Sequence, residues 1–305
     1  MRPTLRPKTK TAPSPKKEEE PALLGVESID ASLSHLVFNY TFQKPTIHEP
    51  TNFLQLDIEG LQTRAPLLEA ERLPSIVSLR KHVPYVYNQG SLGTCVAHSA
   101  AQALKIVLER AHSQKYFAIR LLTGSGVYDP SRLYIYYNSR IESGDTHRDI
   151  GTTNYGGVHA VKTYKAADEK FWPYEVGAVN RRPSHEAYAD AARFKDFEYS
   201  LVSQSAYDLE DALAHGAPVM VGVQLGPSFV NCGRDGKISM PDLKRERIIG
   251  GHSILLVGYD REKRLFEFVN HWGPLWGDSG FGYIPYDYLT DHNLSGDFYA
   301  IEKYR

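Results

Sequence analysis

Between Asn88 and His112 the chain reads NQGSLGTCVAHSAAQALKIVLERAH, a polar loop with two glycines, Gly90 and Gly93, that passes into a helical pattern. Ala97, Ala100, Ala101, Leu104, Val107, Leu108 and Ala111 recur at steps of three and four and draw one apolar stripe; Lys105, Glu109 and Arg110 fall on the other side. The spacing predicts a helix starting at Thr94 or Cys95, with Thr94 in the capping position. The rest of the chain is built around this element.

Downstream, Asp129-Pro130-Ser131 reads as a helix start with proline first, followed by Leu133, Tyr136, Tyr137, Arg140 and Ile141 at helical spacing. Glu142 to Gly157 is glycine-rich and polar and reads as a long loop, with a short helix expected from Val158 to about Lys165. A turn at Trp172-Pro173-Tyr174, a polar helix over 184–197 and an amphipathic helix from Tyr207 to Ala214 closed by Gly216 follow. Strands are expected at Pro218–Leu225, His252–Tyr259, Leu265–Trp272, Phe281–Leu289 and Phe298–Lys303. Helices first and strands second argue for an α+β fold with a mostly antiparallel sheet.

The first 72 residues differ in kind. Residues 1–21 hold five prolines and six basic residues and end in Glu18-Glu19-Glu20, too little apolar surface to offset ordering, so a mobile tail is expected. Residues 22–72 regain apolar side chains such as Leu33, Phe38, Phe42, Phe53 and Leu61 without a sustained period, and read as an extended arm packed on another domain. Residues 73–305 are expected to form that domain.

A net charge of −1 over 305 residues gives no general pull toward nucleic acid or anionic membrane; at most the basic tail would make a weak contact. No apolar run reaches the roughly 18–20 residues of a membrane helix. With only two cysteines, Cys95 and Cys232, one disulfide at most is available, so free thiols and an intracellular (cytoplasmic) or virion-enclosed protein are expected; the sequons at Asn39 and Asn293 would then be incidental.

Cys95 is the chemical focus. In the first turn of a helix a thiol meets unpaired backbone N–H groups and the positive end of the dipole, which favour thiolate; its other reading is a small buried hydrophobe. A nucleophile needs a base and the base an orienting group. His252 stands at the head of the apolar strand in GGHSILLVGYD, and Asn270 ends the next strand just before Trp272. A hairpin of that length would set the two strand ends side by side, and an indole beside them would exclude water.

These blocks resemble the papain-like cysteine peptidases of the cathepsin family. Gln89, Cys95, His252 and Asn270 match that family's Gln, Cys, His and Asn, and Asn270-His271-Trp272-Gly273 through Trp276-Gly277 to Gly280-Phe281-Gly282-Tyr283 matches its NSWGxxWGxxGYG motif. The resemblance, over about 73–305, implies a two-lobed fold with a helical lobe, an antiparallel β-rich lobe and the active cleft between them. It implies a cysteine endopeptidase that forms an acyl-enzyme on Cys95, with His252 as acid and base, Asn270 orienting it, Trp272 shielding the pair and Gln89 binding the oxyanion. It also implies substrate contacts at Gly156, Gly157 and Trp276, a polypeptide substrate, no cofactor, no metal and a monomer.

The departures are Thr94, Val96, His98 and His271, none of which removes a catalytic group; the two histidines are expected to face solvent. Cys95 and His98 stand at a C-x-x-H spacing, but no second cysteine pair follows to build a metal site. The absence of framework cysteines resembles the disulfide-free variants of bacteria and large DNA viruses. The arm lacks the ERFNIN-type pattern, yet its location fits a pro-segment that restrains the enzyme. Two other readings stay open from sequence: a catalytically silent binding or virion-structural protein on the same fold, and an acyl-transferring relative.

Overall fold

The apolar stripe of the central segment becomes helix α1, Cys95–Ala111, in a computed structural model that describes residues 63–67, 69–111, 128–141, 143–194 and 197–304. The tail, the arm up to residue 62 and the Asn39 sequon lie outside the described residues. Ala97, Ala100, Ala101, Ala103 and Leu104 are fully buried, and their small side chains let neighbouring elements approach closely. Lys105 departs from the expected polar side: it is buried, with Nζ 3.1 Å from Asp129 and 3.8 Å over the Tyr85 ring. The reason is that α1 is enclosed on more than one side.

Two further helices enclose it, α2 (Arg132–Ser139) and α3 (Asn154–Tyr164), while α4 (His185–Ala191) closes a satellite cluster with Tyr134 and Ala167. α2 starts two residues later than expected. Ser131 is its N-cap, accepting from the Tyr134 N–H, and Pro130 is held outside in a bridge to Asp168. α3 starts four residues earlier than expected, capped by Thr153.

That earlier start corrects the reading of Gly156 and Gly157. Both lie inside α3, where the Gly156 N–H donates to Thr153 Oγ1 and the Gly157 N–H to the Thr153 carbonyl, so neither is an extended backbone free to pair with a peptide. A Cβ on Gly157 would sit 2.5 Å from Val96 Cγ1. The glycine is there for close packing of α3 on α1.

The second half, joined by one strand from residues 76–78, forms one antiparallel sheet. Its strands are β1 (Ile76–Ser78), β2 (Phe197–Leu201), β3 (Val219–Leu225), β4 (Gly250–Asp260), β5 (Leu265–Val269), β6 (Phe281–Pro285) and β7 (Ser295–Tyr304), in the order β2-β7-β3-β4-β5-β6 with β1 on the far end of β4. β2 was not expected, and the segment after β6 turns into a short helix, α7 (Tyr286–Thr290), instead of continuing as a strand. The amphipathic helix is α6's predecessor in the chain, α5 (Ala206–Ala214), capped by Ser205 and closed by Gly216 at φ +80°, as the pattern predicted; α6 is the single turn Pro227–Val230.

α1 packs on β4 and β7, so the helix that begins with Cys95 lies against the strand that carries His252 near its start. Thr63 bridges Leu201 in parallel, the buried Arg64 side chain is 2.9 Å from Asp211, and β1 pairs with the far end of β4.

Candidate active site

Cys95 is the first residue of α1 and is buried, with the backbone N–H of Ser253, the residue after His252, facing its sulfur. Its own N–H and that of Val96 also face the sulfur and pull the thiol down, as a helix start should. Burial wins over all three and pushes it up to about 11, so the helix terminus alone does not make a thiolate here. Cys232, half-buried near Asp235, is pushed up to about 12 with no such donors.

His252 is the third residue of β4 and is fully buried. The β4–β5 register pairs Leu255 with Val269, which brings Asn270, just past the end of β5, alongside His252. Asn270 Oδ1 accepts from His252 Nε2 at 2.8 Å and from the His271 N–H at 2.8 Å. The Trp272 ring stacks on His252 with centroids 4.8 Å apart and planes at 30°. Burial pushes the His252 imidazole down to about 4, against the opposing pull of its bond to Asn270. Each charge alone is thus disfavoured, whereas a proton passing from sulfur to ring would create both together and let each offset the other.

Gln89 is buried in the loop before α1. Its N–H donates to the His271 carbonyl and its Nε2 to the Leu92 carbonyl at 2.9 Å. An amide nitrogen carries two hydrogens, so one donor remains for an incoming oxygen. Trp276 is buried behind Trp272, edge-on at 5.3 Å, and stacks on Phe229. His98 and His271 face inward, not toward solvent: both are fully buried, with ring centroids 5.7 Å apart. Each is enclosed because α1 is walled by the loop before it as well as by the sheet. Among the described residues no group of three or more His, Cys, Asp or Glu could hold a metal ion.

Three residues escaped sequence reasoning. Asp149 accepts from the Gly93 N–H at 3.0 Å and from the Tyr136 hydroxyl at 2.5 Å, tying the long loop to the turn before Cys95. Gly151, at φ +78°, is the glycine that lies beside that turn: a Cβ on Gly93 would be 3.3 Å from its nitrogen. Tyr174 donates to the Gln89 carbonyl and pairs with Thr94 Oγ1. The Asp-x-Gly following a polar run was the available signal, masked by the more conspicuous Gly156-Gly157.

A cysteine at a helix start against a sheet that carries a histidine–asparagine pair is the architecture of a two-lobed thiol hydrolase. The chain belongs to the papain family of cysteine proteases, whose family model matches residues 73–295. It is 30% identical over 241 residues to an uncharacterized peptidase C1-like protein of Acanthamoeba polyphaga mimivirus, covering 76% of this chain and 73% of that one. A probable cysteine protease of Arabidopsis thaliana is 26% identical over 253 residues, and the match spans 63% of its length. Among solved structures, xylellain, a cysteine protease from Xylella fastidiosa, superposes with a TM-score of 0.70 at 32% identity, over 80% of this chain and 92% of that chain. The digestive procathepsin L 3 of Tenebrio molitor shares the fold at a TM-score of 0.53 and 19% identity, over 78% and 74% of the two chains. The protein is thus a papain-like cysteine peptidase of α+β fold, acts on polypeptides and has free cysteines, and among the described residues no helix is long and apolar enough to cross a membrane.

Proposed function

We propose that Cys95, His252 and Asn270 form the catalytic triad of an endopeptidase and that the Gln89 amide and the Cys95 N–H bind the oxyanion. The observation that carries this is the Asn270 oxygen, 2.8 Å from His252 Nε2 under the Trp272 ring. With Nε2 held, Nδ1 is the nitrogen left to exchange a proton with the sulfur.

In the reaction the Cys95 proton passes to His252 Nδ1, and the thiolate attacks the peptide carbonyl carbon while the C=O pair moves onto oxygen. The imidazolium gives its proton to the leaving nitrogen, the C–N bond breaks, and an acyl-thioester remains. Water, deprotonated by Nδ1, attacks that carbonyl and returns the sulfur as leaving group. Losing one oxyanion donor costs on the order of 10²–10³ in rate. Trp272 keeps water from the His252–Asn270 bond, and Trp276 supports it at the edge where the leaving amine would sit.

The test is labelling by a thiol-directed epoxide together with peptide hydrolysis, in wild type, Cys95→Ala and His252→Ala. Labelling at Cys95 well above Cys232, abolished by His252→Ala, is expected. A Cys95 that labels no faster than Cys232 overturns the assignment and leaves the silent-fold reading.

The arm ending at residue 72 is the second part of the proposal: it restrains the enzyme as a pro-segment, and the domain proper acts as a monomer. Proform structures share this fold, the procathepsin among them. Comparing hydrolysis by the full chain and by a chain starting at Thr63, which keeps the Arg64–Asp211 pair, tests it; equal rates rule out restraint.

A further inference from the structure

Two imidazoles lie beside the proposed triad without a step in its reaction. His98 is one turn along α1 from Cys95, and His271 follows Asn270; the His271 ring is 5.7 Å from that of His98 and 6.2 Å from that of His252. His98 Nδ1 is 2.9 Å from the Thr94 carbonyl, the residue before the nucleophile. The His271 N–H donates to Asn270 Oδ1, and its carbonyl accepts from the Gln89 N–H. The pair is therefore wedged between the turn that carries Cys95, the oxygen that orients His252 and the loop that carries Gln89.

Both rings are fully buried, and His98 Nε2 and both nitrogens of His271 have no hydrogen-bond partner among the described residues. The groups around them offer no counter-ion. From the loop before α1, Tyr87 presents its edge to His98, its hydroxyl engaged by Asp129, which also pairs with Lys105. Tyr174 lies at 5.0 Å with its hydroxyl engaged by Gln89 and Thr94. From α2 comes the Arg132 guanidinium, paired 2.6 Å from Glu169; from β4 comes His252, and from α1 itself Cys95. No hydrogen bond or ion pair joins either ring to a carboxylate among the described residues. Burial and Arg132 push His98 down to about 3, and burial with the neighbouring rings holds His271 well below its ordinary range.

We propose, on the triad reading above, that His98 and His271 are positioning residues forming a proton-operated latch: neutral, they hold the Cys95 turn and Asn270 in place, and acid opens both together. Above the ordinary histidine range of about 6.5 the rings are neutral in the closed and open forms alike, and protons do not act on the latch. Below it the open form binds protons that the closed form refuses, so the closed form loses about tenfold per imidazole for each pH unit. Once one ring is charged, the pocket that excluded protons from the other is broken, so the protons enter together.

The experiment follows peptide hydrolysis against pH in wild type, His98→Phe and His271→Ser. Expected is an acid limb in wild type with a limiting slope of about two to three protons, and in each variant a slope lower by about one with its midpoint moved to lower pH. A purely structural role would weaken the fold at pH 7 and leave the proton count alone. A wild-type slope of one, or a slope and midpoint untouched by both substitutions, overturns the latch. Should a variant not fold, the imidazole C–H resonances of wild type decide: His98 and His271 are expected to stay flat through pH 6.5 and change together, whereas independent titration near 6.5 overturns the proposal. A joint transition in a protein without peptide hydrolysis would support the latch and sink the triad, so the two failures are distinct.

Discussion

Replacing Arg64 by alanine tests where the arm ends and the peptidase domain begins. The Arg64 side chain is 7% exposed and its partner Asp211 not at all; Nη2 is 2.9 Å from Asp211 Oδ2, and Nη1 reaches Glu302 at 3.3 Å. Removing one member of a buried pair leaves a carboxylate without its cation, which costs about 3–5 kcal/mol. Asp211 keeps the Leu67 N–H at 3.1 Å and His215 at 3.5 Å, so the lower end applies, about 3 kcal/mol. For a domain of this size that is roughly 6–12 °C in Tm. Thermal unfolding of Arg64→Ala, Asp211→Asn and the double variant gives the coupling, expected to be at least about 1 kcal/mol. Additive effects would mean that residues 63–72 merely rest on the domain, and the boundary would return to residue 73.

Three more outcomes are expected. Gly157→Ala forces Val96 aside from a 2.5 Å overlap one residue from Cys95, so it should lose about 1–3 kcal/mol in urea unfolding and slow hydrolysis; a neutral variant would contradict the packing. Trp272→Leu removes the ring stacked on His252, a contact worth about 0.5–2 kcal/mol to a charged imidazole, and kcat/KM should fall about 2- to 30-fold while Tm at pH 7 changes less. Stability itself should decline as pH falls from 6.5, because His98, depressed to about 3, takes up a proton only when unfolded. At pH 5 it contributes a loss of about 2 kcal/mol, readable from urea midpoints, and a flat profile from 7 to 5 would rule out neutral burial.

The parts of this protein that were legible in its sequence are those set by local period and spacing. α1 appeared from its alanine and leucine stripe, α5 from its amphipathic pattern and closing glycine, and β3 to β5 from apolar runs, while the strand-end histidine and asparagine announced their own pairing. What failed depended on neighbours distant in sequence. Gly156-Gly157 looks like a turn to any local rule, and only Val96 on another helix explains why a glycine is needed inside α3. β2 is short and half polar, and becomes a strand because β7 offers it an edge. His98 is a different case, because it lies on the polar side of an amphipathic helix.

A polar side on a helix usually faces water, but α1 is enclosed by the sheet, α2, α3 and the loop before it, so its polar positions turn into an internal seam. His98, Gln102 and Lys105, at steps of four and three, lie along that seam and are all buried. Lys105 has Asp129, and His98 has the Thr94 carbonyl. Gln102 has nothing: neither amide atom finds a hydrogen-bond partner among the described residues. A buried amide without partners costs about 1–3 kcal/mol, and a leucine there adds no polar group and fills similar space. Gln102→Leu should therefore stabilise the fold by about 1–2 kcal/mol at pH 7, read from the shift in urea midpoint at constant slope. If the seam exists to serve the histidines, the gain will come with altered pH dependence of hydrolysis. A destabilised Gln102→Leu would show instead that the amide is satisfied, and that the seam is an ordered polar network contributing to the core it crosses.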